Sequence, residues 1–173
     1  MKIPFAEIAQ NGSHYRFTDD AWLTAAGLTV AGPTEAELTL RPKAAHRAEA
    51  QGTFRAKLRL TCDRCLTEYD VPVAAEFHLL LEVPEQDEDG WSVKELDNSA
   101  ELELLEVDEP AADLTEILRQ QLFLSLPVKQ LCSPDCQGLC PNCGANLNSQ
   151  SCACAAETEN SPFAALAAWN KNR

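Results

Sequence analysis

Eight cysteines fall in four close pairs: Cys62 and Cys65, Cys132 and Cys136, Cys140 and Cys143, Cys152 and Cys154. Thiolate is a favoured ligand of zinc, which takes four donors in a tetrahedron with Zn–S arms of about 2.3 Å. Two cysteines separated by two residues on a tight turn both reach one ion. Cys140-Pro-Asn-Cys143-Gly144 has the turn chemistry for this, with a rigid proline inside and a glycine where φ turns positive. Cys62-Asp-Arg-Cys65 has the spacing without the glycine. Eight ligands divide into two sets of four. A four-thiolate shell leaves no open position for water or substrate, so the expected zinc is structural, not catalytic.

Three partitions of the pairs are open. Putting Cys132, Cys136, Cys140 and Cys143 on one ion leaves three residues between Cys136 and Cys140, which is tight. The preferred partition gives Cys62, Cys65, Cys132 and Cys136 to one ion and Cys140, Cys143, Cys152 and Cys154 to another. The stretch from Gly144 to Ser151 then forms a small loop or hairpin, and the first site closes a long excursion of the chain. Disulfides would suit a secreted protein, but MKIPFAEIAQ lacks the apolar core of a signal peptide. Thiols stay reduced in the cytoplasm, the expected compartment, where such spacing reads as metal-binding.

No other chemistry competes. No histidine stands beside a carboxylate at ligand spacing, and there is no phosphate-cradling glycine loop or nucleophile signature, so no enzyme and no catalytic residue are expected. His14, His46 and His78 read as surface or locally bonded residues. No run of eighteen apolar residues occurs, so no membrane is an expected partner, and without a catalytic signature no small-molecule substrate is expected either.

The elements that must position the cysteines are mostly strands. Ala36, Leu38 and Leu40 alternate with polar residues, which predicts a strand ending near Pro42. A second strand runs from Gly52 to Leu60, with Phe54, Ala56, Leu58 and Leu60 on one face. Arg55, Lys57 and Arg59 share its other face, either as contacts for RNA phosphates or as a solvated or ion-paired surface. Tyr69–Val83 reads as a third strand, with Pro72 marking an edge or bulge. Residues 101–107 alternate briefly. Asp113 and Glu116 form a capping-box pair for a helix that places Leu114, Ile117, Leu118, Gln121, Leu122 and Ser125 on one face, an incomplete apolar stripe, and stops at Pro127. Before residue 34 the reading is weaker: Ile3, Phe5 and Ile8 open an extended segment or a short helix, and Asp19-Asp20 cap a turn before Trp22. The fold class is α+β: a mainly antiparallel body with one long helix over 1–127, a zinc-ribbon-like module over 128–156, and a tail over 157–173. In that tail Ser161-Pro162 starts a short helix carrying Phe163, Leu166 and Trp169, which needs a surface to dock on, its own or a partner's. Trp91, in the acidic loop from Pro84 to Ser99, either tucks against the body, the commoner arrangement, or serves as a second candidate anchor.

The charge is uneven. The formal net charge is −13, and the stretch from Glu82 to Glu116 alone carries 14 acids against Lys94. The stretch from Arg41 to Arg64 carries seven Arg or Lys against Glu49 and Asp63. An acidic surface repels phosphate backbones and favours basic partners.

Three stretches together resemble the YceD family, the large ribosomal RNA subunit accumulation proteins: Leu60-Thr-Cys-Asp-Arg-Cys-Leu66, the segment from Leu126-Pro through Cys154, and Ser161-Pro-Phe-Ala-Ala-Leu166. The resemblance implies a role in making or accumulating large-subunit ribosomal RNA, with a metal-binding cysteine segment and no catalytic residues to carry over. The expected protein is a non-enzymatic, zinc-stabilised accessory factor whose partner is ribosomal RNA or a large-subunit ribosomal protein. The alternative is a redox-regulated zinc chaperone, in which an oxidant strips the metal and exposes apolar surface.

Overall fold

The computed structural model describes residues 1–24, 27–84 and 103–154. Trp91 with most of its acidic loop, and Phe163, Leu166 and Trp169 with the tail, lie outside the described residues. The elements are β1 (Lys2–Pro4), β2 (Ser13–Phe17), α1 (Ala21–Thr24), β3 (Thr29–Val30), β4 (Glu35–Ala44), β5 (Arg47–Thr61), β6 (Glu68–Glu82), β7 (Glu103–Glu106), β8 (Ala111–Asp113) and α2 (Leu114–Ser125). The chain divides into two compact units. One comprises the described residues of Met1–Leu60 and Glu68–Gln130; the other comprises Thr61–Thr67 with the described residues from Leu131 onward. The Cys62–Cys65 knuckle therefore belongs to the same unit as the other six cysteines.

The first unit is built on a sheet in the order β2-β4-β5-β6-β7, with β3 also on β5, while β1 and β8 pair separately. Most pairing is antiparallel, but β6 and β7 run parallel, so the sheet is mixed. Alternation decides which side is buried: Phe54, Ala56, Leu58 and Leu60 of β5 and Val73, Phe77, Leu79 and Leu81 of β6 face the core. Leu114, Ile117, Leu118 and Leu122 of α2 join the same apolar cluster. Trp22 and Leu23 of α1 do likewise, and the Trp22 ring meets Phe54 edge-on at 5.8 Å. β7 reaches only Leu79–Glu82 of β6, so Pro72 lies away from that pairing, in keeping with an edge position.

Two readings shift. The second strand begins at Arg47, not Gly52, and Gly52 sits mid-strand opposite Leu38. A Cβ there would collide with the Phe77 ring and stand 2.9 Å from the Glu37 carbonyl, so glycine serves as the floor for an aromatic ring. At α2 the Asp113 carboxylate accepts N–H bonds from Thr115 and Glu116 at 3.1 and 3.3 Å. Glu116 does not close the box; its carboxylate accepts from Arg119 and Gln120 instead. The helix ends at Ser125, with Leu126 extended before Pro127.

The outward face of the sheet carries charge in matched sets. Asp70 of β6 takes both Lys57 and Arg59 of β5, at 3.3 and 3.0 Å. Among the described residues Arg55 has no ion pair; its cross-strand neighbour is Glu35. Glu49 is buried, held by Lys43 at 2.6 Å, by Arg41 at 3.9 Å and by His78. His14 Nδ1 lies 3.0 Å from Thr39 Oγ1, so this histidine too is locally bonded. Among the described residues no helix is long and apolar enough to cross a membrane.

Candidate metal centres

The eight sulfurs gather into two groups of four, Cys62, Cys65, Cys132 and Cys136, and Cys140, Cys143, Cys152 and Cys154. Within each group every sulfur lies within 4.8 Å of the others. No pair is bonded. In the first group Cys65 and Cys132 are 3.6 Å apart and Cys62 and Cys136 3.8 Å. A disulfide needs about 2.0 Å. A tetrahedron with arms of about 2.3 Å has edges of about 3.8 Å, so the spacing fits four thiolates around one ion. This is the preferred partition of the pairs.

The two Cys-x-x-Cys knuckles are the same turn. In the second, Gly144 N–H donates to the Cys140 carbonyl at 2.9 Å and Cys140 N–H to the Ala145 carbonyl at 2.8 Å. In the first, Leu66 N–H donates to the Cys62 carbonyl at 2.9 Å and Cys62 N–H to the Thr67 carbonyl at 3.0 Å. The turn needs a left-handed residue after the second cysteine. Gly144 supplies it at φ 72°, and Leu66 adopts it at φ 58°, with its side chain exposed. The glycine missing from the first knuckle is thus replaced by a strained leucine.

The segment from Cys136 to Leu139 is held to the first knuckle by contacts around Arg64. The Arg64 guanidinium donates to the Cys136 carbonyl at 2.9 Å, and Leu139 N–H donates to the Arg64 carbonyl at 3.1 Å. Gly138 makes this approach feasible: its φ is +76°, and a Cβ would stand 3.1 Å from the Arg64 carbonyl oxygen.

Crowding divides the thiols electrically. Burial alone would raise the Cys62 thiol, but backbone N–H groups of Cys132, Cys65 and Arg64 bring it down to about 6. Its neighbour Cys132 is pushed up to about 12, first by Cys65 and then by burial. The second group repeats the pattern: N–H groups of Cys143 and Asn142 lower Cys140 to about 6, and Cys143 raises Cys154 to about 12. Four thiolates so close repel one another; a dication at their centre would let all four ionise. Exposure separates the groups. Cys62, Cys65 and Cys136 are buried, whereas in the second group only Cys140 is buried and Cys143 and Cys154 are exposed.

Among the described residues, the other candidates singled out from sequence are not part of this arrangement. Arg55, Lys57 and Arg59 stand on the outward face of β5, in the other unit. Sequence reasoning missed Arg64, Leu66, Thr67, Gly138, Asn146 and Asn148. The two asparagines had a signal: Asx residues make local turns, and both lie in the loop between Cys143 and Cys152.

Residues 50–169 match the family described as Large ribosomal RNA subunit accumulation protein YceD. Among curated proteins, the Zea mays Large ribosomal RNA subunit accumulation protein YCED homolog 1, chloroplastic, is 31% identical over 129 residues, covering 62% of this chain and 44% of that protein. Its Arabidopsis thaliana namesake is 32% identical over 54 residues, 31% of this chain and 17% of that protein. An uncharacterized protein of Mycobacterium tuberculosis is 31% identical over 99 residues, 57% of this chain and 44% of that protein. The chain thus matches less than half the length of these relatives. No solved structure matches. The family match spans well over half the chain and takes in every cysteine of both groups: this protein belongs to the YceD family.

Proposed function

We propose that this protein is a non-enzymatic accessory factor for large-subunit ribosomal RNA accumulation, whose cysteine unit is held together by two structural zinc ions. The observation that carries the reading is the convergence of all eight sulfurs into two closed sets of four, in a chain of this family. Zinc is the metal of choice for a four-thiolate tetrahedron, and with its shell filled by protein it supplies a crosslink and no reactive position. Cys62 and Cys65 would hold the first ion with Cys132 and Cys136. Cys140, Cys143, Cys152 and Cys154 would hold the second.

Recognition rests on the acidic segment from Glu82 to Glu116, and the partner it suits is a basic large-subunit ribosomal protein. The cations of β5 favour a structural role over RNA contact, because Lys57 and Arg59 already share Asp70 and Arg55 lies opposite Glu35. The test is depletion of the protein in growing cells, with the ratio of large- to small-subunit ribosomal RNA as readout. The ratio should fall, and recover with the unsubstituted protein but not with Cys62→Ser/Cys136→Ser. An unchanged ratio contradicts the reading. Co-purification with large-subunit precursors should be lost when the acids between 85 and 109 are neutralised, and kept in Lys57→Ala/Arg59→Ala.

The exposure of Cys143 and Cys154 favours a second reading, a redox-regulated chaperone. Peroxide-driven zinc release with a reversible gain of holdase activity would support it. Retention of both ions under peroxide would remove it.

A further inference from the structure

The loop between Cys143 and Cys152 belongs by its ends to the second cysteine group, yet its side chains reach the first. Asn148 Nδ2 donates to Cys136 Sγ at 3.4 Å and to Asn146 Oδ1 at 2.8 Å. Its Oδ1 accepts from Gln137 N–H at 2.8 Å. That last bond sets the orientation of the amide: a backbone N–H can only donate, so the atom it meets is oxygen, and the NH₂ must face sulfur. Asn146 Oδ1 also accepts from Asn148 N–H at 3.0 Å, and Asn146 Nδ2 donates to Thr67 Oγ1 at 3.2 Å, two residues past Cys65. The loop is further fastened by Leu147 N–H on the Gly138 carbonyl at 2.9 Å. One loop side chain thus touches a cysteine of the first group, Cys136, and another touches Thr67 beside its knuckle.

We propose that Asn148 is a positioning residue through which the second cysteine group supports metal binding by the first. An N–H aimed at a ligating sulfur fixes its direction and disperses its charge, and loss of such outer partners typically costs 10–100-fold in metal affinity. Confinement of Gly144–Ser151 at both ends adds to these bonds in holding the amide in place. When Cys143 and Cys152 share an ion the loop is closed; when they do not, ordering Asn148 costs loop entropy. The first group therefore binds metal more tightly when the second is filled.

This rests on the zinc reading, and the experiment separates the two. Full-length protein, stripped and reduced, is titrated with Zn²⁺ against a chromophoric chelator and with Co²⁺ by absorption. The unsubstituted protein should take two ions; fewer would overturn the zinc reading and this inference with it. Asn148→Ala should still take two, with one bound roughly 10–100-fold more weakly. Asn148→Asp, which keeps the acceptor for Gln137 N–H but loses the donor to sulfur, should behave alike. In Cys143→Ser/Cys154→Ser, one ion should remain, bound more weakly than the first-group ion of the unsubstituted protein. Adding Asn148→Ala to that background should cost less than it does in the full set. Two ions held with unchanged affinity in Asn148→Ala would overturn the proposal. So would tight binding in Asn148→Asp beside weak binding in Asn148→Ala, because the amide would then act only as an acceptor.

Discussion

Leu66 and Gly144 occupy the same place in two copies of one turn, and only one of them is suited to it. A left-handed backbone costs an L-residue roughly 1–2 kcal/mol, which glycine avoids at the expense of a more flexible unfolded chain. Leu66→Gly should therefore raise stability by up to about 1 kcal/mol, seen as a higher urea midpoint of the metal-loaded protein. Gly144→Ala should lower it by about as much. Glu49 makes a prediction in pH. Its carboxyl is held below the ordinary value of 4.5, chiefly by Lys43 and also by His78, against the opposing pull of burial. A depressed folded value means stability that is fully present above pH 4.5 and lost as pH falls through that lower value. Urea midpoints measured between pH 6 and 3 should fall less steeply in Glu49→Gln.

Among the elements, β5 and β6 fit together where Gly52 leaves room for Phe77. Gly52→Ala should destabilise the protein by roughly 1–3 kcal/mol, measured by denaturant unfolding, because the ring must move or the strands must part. Asp113→Ala should cost about 1 kcal/mol through loss of the α2 cap. The alternation of Phe54, Ala56, Leu58 and Leu60 was legible in the sequence, since period two with one buried face leaves no other register. The cap of α2 and its apolar stripe were legible for the same local reason. Gly52 was misread as a strand start because glycine punctuates locally, and the ring that fills its space comes from another strand. The parallel β6–β7 pair and the β1–β8 pair were not legible, being contacts between distant segments with no local signature. The cysteine partition was legible only as a preference: three residues between Cys136 and Cys140 argue against one of the three partitions and leave two, and the choice between those depends on how the folded chain brings distant pairs together. Asn148 was not, because its importance depends on where a folded loop aims one amide.

For the whole molecule, the sulfur chemistry would explain how distant segments become one unit: Thr61–Thr67 groups with the chain from Leu131 onward although residues 68–130 intervene. An ion shared by Cys62, Cys65, Cys132 and Cys136 would close that excursion, and metal binding of this kind is folding free energy. Chelation under reducing conditions should therefore loosen the cysteine unit while the β-sheet unit, with its own apolar core, keeps its strand signal in circular dichroism. The measurement that bears most directly on the account is native mass spectrometry of the full-length protein purified under reducing conditions without added metal. The account predicts a mass increased by two zinc ions, with all eight cysteines alkylated after chelation and few before it. A metal-free protein, or one whose cysteines are paired as disulfides under those conditions, would contradict it.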